Sequence, residues 1–344
     1  MVNDAPMARI GIVGASGFTG AELLRLAAAH PHLEVAFATG DTQAGTPVAE
    51  LYPSLAAAYP DLVFTPYDAA AAAGADLVFL GLPHGASQVL VPELIGKVDH
   101  VVDLAADFRL RDPALYPQWY GERHTAPELL GDFAYGLPEL YRAEILTAAH
   151  VAVPGCYPTA ASLALAPLVR AGVIQTDGVI VDAASGVSGA GRSAKPNTTF
   201  CTVDEDFTAY GLLDHRHTPE IEQATGTSVL FTPHLAPMNR GILATCYARP
   251  AGVTSTAAVL DTLRESYVNE PFVVVTDGSP STKATLGSNC AHVTARYDER
   301  TGWVLAIAAI DNITKGASGQ AVQCANLLLG LPETTGLPIV GVYP

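Results

Sequence analysis

ARIGIVGASGFTGAELLRLAAAH, residues 8–30, is the stretch that decides the fold. A short apolar strand runs into a turn with Gly11, Gly14, Gly17 and Gly20 at spacing three. A helix follows, with Leu23, Leu24, Leu26 and Ala27 as its apolar positions. In a strand–turn–helix context, such glycines let the backbone approach a pyrophosphate, and the helix N-terminus holds its charge. A plain tight turn with close helix–strand packing fits the same glycines. The next apolar segment, LEVAFAT (33–39), ends in Thr39-Gly40-Asp41. An acid at that strand end binds a ribose hydroxyl in NAD-preferring sites, and Asp41 falls slightly late for it. Thr39 and Thr42 would instead leave room for a 2′-phosphate, so this motif leaves NAD and NADP both open.

Outward from the loop, ADLVFLGLPHG (75–85), HVVDLAADFRL (100–110) and HVAVPG (150–155) read as further buried strands. The alanine-rich DAAAAAGA (68–75) reads as a short helix between them. Strands alternating with helices predict a doubly wound parallel sheet covered on both faces. After a helix at 159–170 the texture changes. Strand-like runs at 178–186, 228–237, 241–250, 272–277, 291–299 and 303–312 have few helices between them, which predicts a mostly antiparallel second sheet. The fold class is therefore α/β, a doubly wound parallel sheet plus an α+β domain. The expected domains are 1–154 with 318–344, the final helix returning to the first sheet, and 155–317.

The length of 344 residues suits two domains, and 49% hydrophobic against 15% charged residues supports large cores. A formal net charge of −16 argues against non-specific binding to nucleic acid or anionic membrane, so neither is expected as a partner. No apolar run approaches the ~20 residues of a membrane span. MVNDAPMARIGIVG carries an acid and no apolar h-region, so it does not read as a signal peptide; a cytoplasmic location is expected. The five cysteines, 156, 201, 246, 290 and 324, are odd in number and far apart, without C-x-x-C. Neither a disulfide framework nor a metal site is expected.

VAVPGCYPT, residues 151–159, places Cys156 between a strand end and a helix start. Pro158 suits the first helical turn, where its missing N–H costs nothing. A thiol at the positive end of a helix is favoured as thiolate, and N–H groups of the turn offer an oxyanion hole. The other four cysteines read as buried structural residues, the commonest fate of the type. A thiolate needs a proton partner, and DHRHTPEIEQ (214–223) supplies candidates. His217 and Glu220 are three apart on a helix expected to begin near Pro219, which would let the carboxylate orient the ring. His215 and His217, two apart, are expected on different faces. A surface polar cluster is the plainer alternative. His30, His32, His100, His124 and His150 read as surface or helix-end residues.

SGVSGAGRSAKPN (185–197) reads as a loop that lines the site with backbone donors, Arg192 and Lys195. DFRL places Arg109 at the C-terminal end of a parallel strand, where such sheets bind ligands, and PMNRG places Arg240 in a turn between strands. Several arginines beside glycine loops, in a chain with 18 basic residues, point to anion recognition.

A dinucleotide loop with an activated cysteine implies chemistry at the acyl/aldehyde level: nicotinamide moves a hydride and cysteine holds an acyl group. Reductively, the substrate is an acyl phosphate. GASGFTGAELLRL, DFRL, PGCYPT, SGVSGAGR, HRHTPEI and IDNITKGASGQAVQ, in order from about residue 8 to the GLPIVGVYP tail, resemble the N-acetyl-γ-glutamyl-phosphate reductases. Aspartate-semialdehyde dehydrogenases share the glycine loop and an S-G-x-G stretch but differ around the cysteine. The resemblance implies a Rossmann-type domain completed by the C-terminal helix, a second catalytic and dimerisation domain, and a homodimer or homotetramer. It implies NADPH-dependent reduction of N-acetyl-L-glutamyl 5-phosphate to the 5-semialdehyde through a Cys156 thioester, in arginine biosynthesis. Cys156 is then the nucleophile and His217 the acid/base. The cofactor-binding set expected is Gly14, Ala15, Ser16, Gly17, Phe18, Thr19, Thr39, Pro83, Ser188, Gly189 and Asn312, the last on the nicotinamide amide. The substrate-binding set is Arg109, Gly155, Tyr157, Arg192, His215 and Arg240. Another acyl-phosphate reductase, a cysteine hydrolase or acyltransferase, and a catalytically silent dinucleotide-binding regulator are the alternatives.

Overall fold

In the computed structural model, residues 7–343 are described. Residues 1–6, part of the stretch read against a signal peptide, and Pro344, the end of the expected first domain, lie outside them. The chain forms two compact units. The first holds the described residues up to Pro117, Glu122–Pro154 and Ala317–Leu337; the second holds Gln118–Gly121, Gly155–Gly316 and the described residues from Pro338.

The first unit is built on β1 (Ala8–Val13), β2 (Leu33–Ala38), β3 (Leu77–Leu80), β4 (His100–Asp103), β5 (Phe133–Tyr135) and β6 (His150–Ala152). Their order is β2-β1-β3-β4-β6-β5, and every pairing is parallel. The order reverses at β1, the switch point beside which open α/β sheets bind ligands. β3 is buried at all four residues, as a strand covered on both faces must be. Two glycines allow the helix Phe18–Ala29 and β2 to close on β1. A Cβ at Gly11 would overlap the Phe37 ring, and one at Gly20 would overlap the Ala15 backbone. The helix Gly319–Leu328 belongs to this unit. Ser318 Oγ donates to Thr19 O at 2.8 Å, and His30 Nε2 meets Asn326 Oδ1 at 2.9 Å.

The second unit holds β7 (Val179–Gly186), β8 (Thr208–Ala209), β9 (Val229–Ala236), β10 (Ile242–Ala248), β11 (Val273–Val275), β12 (Ala291–Asp298) and β13 (Trp303–Ile310). The order is β11-β12-β13-β10-β7-β9-β8. Four pairings are antiparallel; β7/β9 and β11/β12 are parallel. Helices Cys156–Arg170 and Thr256–Ser266 pack on one face. The first is buried continuously from Tyr157 to Leu168, and each buried leucine in it contributes about 2 kcal/mol.

The tail was expected with the first domain, but its last residues join the second unit. Asn289 N–H donates to Pro338 O at 2.7 Å and Val342 N–H to Leu286 O at 2.7 Å, so the chain past Leu337 runs along 286–289.

Candidate active site

The glycine loop is shaped for close approach. Gly14 has φ +82°, and a Cβ there would overlap Gly81 O. Gly14 N–H donates to Thr39 Oγ1 at 3.1 Å and Ala15 N–H to Thr39 O at 2.8 Å. Tyr52 Oη donates to Ser16 O at 2.7 Å. Gly17 is the N-cap of Phe18–Ala29 and supplies no side-chain cap, so the N–H groups of Phe18 and Thr19 face out of the helix end as anion donors. These residues fit a dinucleotide pyrophosphate. Thr39, expected beside the 2′-phosphate, is instead a buried strut of the loop, 4% exposed. Thr42 and Pro83 are exposed on the loops after β2 and β3.

Cys156 is the first residue of its helix, earlier than the expected start at 159, and Gly155 is the N-cap with φ −65° and ψ 155°. Thr159 N–H and Oγ1 both donate to Gly155 O, at 2.9 and 3.0 Å. Pro158 has no N–H, so the first turn offers outward donors at Cys156 and Tyr157. Gly155 N–H donates to Glu220 Oε1 at 2.8 Å, and Glu220 is fully buried. The carboxylate expected to orient His217 thus grips the backbone one residue before the cysteine. His217 lies not on the following helix but at its N-cap, the helix being Thr218–Thr225. Its ring faces Gly155: a Cβ there would stand 2.7 Å from His217 Cε1.

His215 and His217 were expected on different faces. Their ring centroids are 4.8 Å apart, and His217 N–H donates to His215 Nδ1 at 3.1 Å. That spacing argument applies within a helix, and this pair precedes one. Burial and the neighbouring Arg216 cation push the His215 imidazole down to about 4, so it is neutral near pH 7. Tyr157 Oη donates to His234 O at 3.0 Å and accepts from Tyr210 Oη at 3.1 Å. Burial raises both phenols, Tyr157 strongly and Tyr210 to about 12. His215, Tyr157 and Tyr210 therefore form an uncharged wall beside the cysteine turn. Cys156 is half-buried; Cys246, Cys290 and Cys324 are buried, whereas Cys201, expected inside, is exposed.

Of the arginines, Arg109 departs from its expected place, while Arg240 and Arg192 lie in the turn and the loop expected for them. β4 ends at Asp103, so Arg109 lies in the loop beyond it, buried, with Nη2 donating to Leu104 O at 2.7 Å. Arg240 sits in the β9–β10 turn, where Nε and Nη2 reach Asp311 Oδ1 at 3.1 and 2.9 Å. Arg192 and Lys195 are exposed on the loop after β7, and Ser188 and Gly189 lie in the 3-10 turn Val187–Ala190. Asn312 accepts Gly241 N–H at 2.7 Å and donates to Ser188 Oγ at 3.0 Å, so its amide braces the turn around it.

Sequence reading missed a polar cluster at the carboxyl ends of β3 and β4. His84 Nδ1 is 2.5 Å from Asp107 Oδ1, and Asp107 also accepts the N–H groups of Gly85 and Gln88. Burial pushes the Asp107 carboxyl up, but those bonds more than offset it and hold it below its usual range. Asp103, fully buried, accepts Ser87 Oγ–H at 2.8 Å and Ala105 N–H at 3.0 Å. Burial raises its carboxyl to about 7. His30 is the C-cap of its helix, a helix-end residue as expected, while His124 and His150 are buried rather than superficial, 7% exposed; His124 Nε2 meets Asp107 O at 2.8 Å. The signal available was an acid ending each apolar segment, at 103 and 107.

Two family models match the chain: "Semialdehyde dehydrogenase, NAD binding domain" over residues 9–148 and "Semialdehyde dehydrogenase, dimerisation domain" over 156–312. Among solved structures, aspartate semialdehyde dehydrogenase II of Vibrio cholerae complexed with ASA is similar, with a TM-score of 0.72 at 16% identity. The match covers 94% of this chain and 98% of that one. The Candida albicans aspartate semialdehyde dehydrogenase with NADP has a TM-score of 0.70 at 15% identity, over 94% and 98%. Those likenesses show the fold. The N-acetyl-gamma-glutamyl-phosphate reductases of Symbiobacterium thermophilum and Acidothermus cellulolyticus are each 50% identical, over 98% of this chain and 99% of theirs. With that identity across nearly its whole length, the chain belongs to the N-acetyl-gamma-glutamyl-phosphate reductase family.

Proposed function

We infer that the chain reduces N-acetyl-L-glutamyl 5-phosphate to N-acetyl-L-glutamate 5-semialdehyde and phosphate with NADPH, a step of arginine biosynthesis. The observation that carries the reading is Cys156 at the first position of a buried helix, with the His217 ring against the preceding glycine. The helix end favours the thiolate, which attacks the acyl carbonyl. The N–H groups of Cys156 and Tyr157 receive the oxyanion, and phosphate leaves a thioester on Cys156. Gly14–Thr19 would hold NADPH, which would supply the hydride that takes the thioester to the aldehyde level; the carbon–sulfur bond then breaks and returns the Cys156 thiolate. His217 gives and takes the proton on the substrate oxygen, while neutral His215 and the two tyrosines keep other charge away from it. Arg192 supplies an exposed cation for the anionic substrate, and Arg240, bonded to Asp311, braces the turn that carries it.

The site takes a small-molecule substrate, and residues 155–317 form the catalytic domain in this reading. A homo-oligomer assembles through the face of the second sheet that its helices leave open. Ile180, Leu243, Tyr247, Trp303, Leu305 and Ile307 alternate with buried residues along β7, β10 and β13, all half-exposed. Asp182 and Thr245 share this otherwise apolar face, and a mainly apolar sheet face of this kind is normally covered by a partner. Sedimentation should give at least a dimer mass, and Leu305→Arg should lower it; a native monomer would sink this assembly. Among the described residues, no helix is long and apolar enough to cross a membrane.

The decisive assay runs the reaction backwards. N-acetylglutamate semialdehyde, phosphate and NADP should develop the NADPH absorbance band, faster than with NAD and only when phosphate is present. No reaction with either nucleotide refutes the substrate assignment. Turnover without phosphate would instead indicate a hydrolytic dehydrogenase.

A further inference from the structure

Gly316 lies directly behind the nucleophile's side chain. It is in the π-turn Thr314–Ser318, and its N–H donates to Asp311 O at 2.9 Å. A Cβ at Gly316 would stand 2.8 Å from Cys156 Cβ, 3.2 Å from Cys156 Cα and 3.3 Å from Ile310 Cδ1. A separation of 2.8 Å between two such carbons forces one of them to move. Gly316 is not in the left-handed region, since its φ is not among the positive ones. Alanine would therefore be excluded there by space, not by backbone conformation.

Neither side can retreat easily. On the turn's side, fully buried Asp311 collects the N–H groups of Ile313, Thr314 and Gly287 at 2.8, 2.9 and 2.7 Å, in addition to the Arg240 guanidinium. Arg240 Nη2 continues to Thr314 Oγ1 at 2.7 Å. Asn312 ties the same turn to Gly241 and Ser188. On the other side, the helix that begins at Cys156 is buried for three turns beyond it. The part left to yield is Cys156 itself.

We propose that Gly316, held at fixed depth by the Asp311 hub, is a positioning residue that sets the place of the Cys156 thiol for attack on the acyl carbonyl. The proposal rests on Cys156 being the nucleophile. Asp311 then acts through Gly316, and Arg240 serves the hub rather than the substrate directly.

The test compares Gly316→Ala with Gly252→Ala, which has open space around its Cβ and an ordinary φ. Gly316→Ala should lower kcat about 100-fold, the cost of displacing a reacting group by about 1 Å. KM for NADPH should stay within about twofold, and Gly252→Ala should behave as the native enzyme. A folding defect alone would not give that split in the soluble, folded fraction. Thermal melts of Gly316→Ala alone and combined with Cys156→Gly keep the idea testable if the single variant is fragile. Removing Cys156 Cβ should return a large part of the Tm lost. A kcat within about threefold of native, or the same Tm loss in both backgrounds, overturns the proposal. If Cys156→Ala is inactive while Gly316→Ala is fully active, only the positioning role fails; if Cys156→Ala turns over, the nucleophile assignment fails.

Discussion

Cys156→Ala is expected to reduce turnover by a factor on the order of 10⁴ or more while the dissociation constant for NADPH stays nearly unchanged. Without the thiolate there is no thioester, and hydride transfer must start from an acyl phosphate that is bound but not covalently held. The N–H groups of the helix end and the substrate contacts survive in the variant, so a small residual rate over solution is expected. The cofactor loop is a feature of the first unit, anchored through Thr39 and Tyr52, and loses nothing. The measurement is single-turnover decay of the NADPH band with N-acetyl-L-glutamyl 5-phosphate, beside an equilibrium titration of NADPH. Mass spectrometry of the native enzyme quenched without NADPH should show an acyl adduct on Cys156. Cys201 is exposed and competes for thiol reagents, so labelling is best done in a Cys201→Ser background. Turnover within tenfold of native in the Cys156 variant would rule out covalent catalysis.

The parts of this molecule legible in the sequence are those whose cause is local. Gly14 announces its positive φ because only glycine tolerates it cheaply, and the alternation in β7, β10 and β13 announces one covered face. Pro154, Gly155 and Pro158 mark the corner where Cys156 stands. What stayed hidden depends on partners distant in the chain. Glu220 and Gly155 are 65 residues apart, and Arg240 and Asp311 are 71 apart. No periodicity links them. β5 and β8, with three and two residues, are too short to show a period. The parallel pairing of β7 with β9 needs a crossover, which the short helix Thr218–Thr225 and its flanking loops provide. His217 was expected on a helix beginning near Pro219; that helix begins at Thr218 and His217 is its N-cap, a difference within the usual uncertainty of an element's edge.

Asp103 leads to the second large effect, on stability rather than turnover. Its carboxyl titrates near 7 in the folded protein, against 3.8 for the ordinary group, because burial disfavours the charge and Asp107 adds repulsion. Ser87, the Ala105 N–H and the Arg109 cation oppose that rise without cancelling it. The folded state therefore holds this proton more tightly than the unfolded chain does. Below the unfolded value both states are protonated and Asp103 costs nothing. As pH rises from about 4 to 7 only the unfolded chain ionises, and stability falls by about 1.4 kcal/mol per pH unit. Above 7 both are ionised, and the accumulated penalty is about 4 kcal/mol. Asp107, held below its usual range, works in the opposite sense at acid pH. The clean observable is thus the difference between the native protein and Asp103→Asn. The amide keeps the acceptor for Ser87 and Ala105 and never ionises. Its NH₂ replaces the other carboxyl oxygen, which has no hydrogen-bond partner among the described residues. That burial costs about 1–3 kcal/mol at every pH. Between pH 5.5 and 8.5, both on the soluble side of an isoelectric point of about 4.9, the difference in unfolding free energy should move by about 2 kcal/mol in favour of the variant. Urea denaturation at the two pH values measures it. A difference that does not change with pH would mean Asp103 is ionised throughout, and that the β4 end is more open to water than its burial implies.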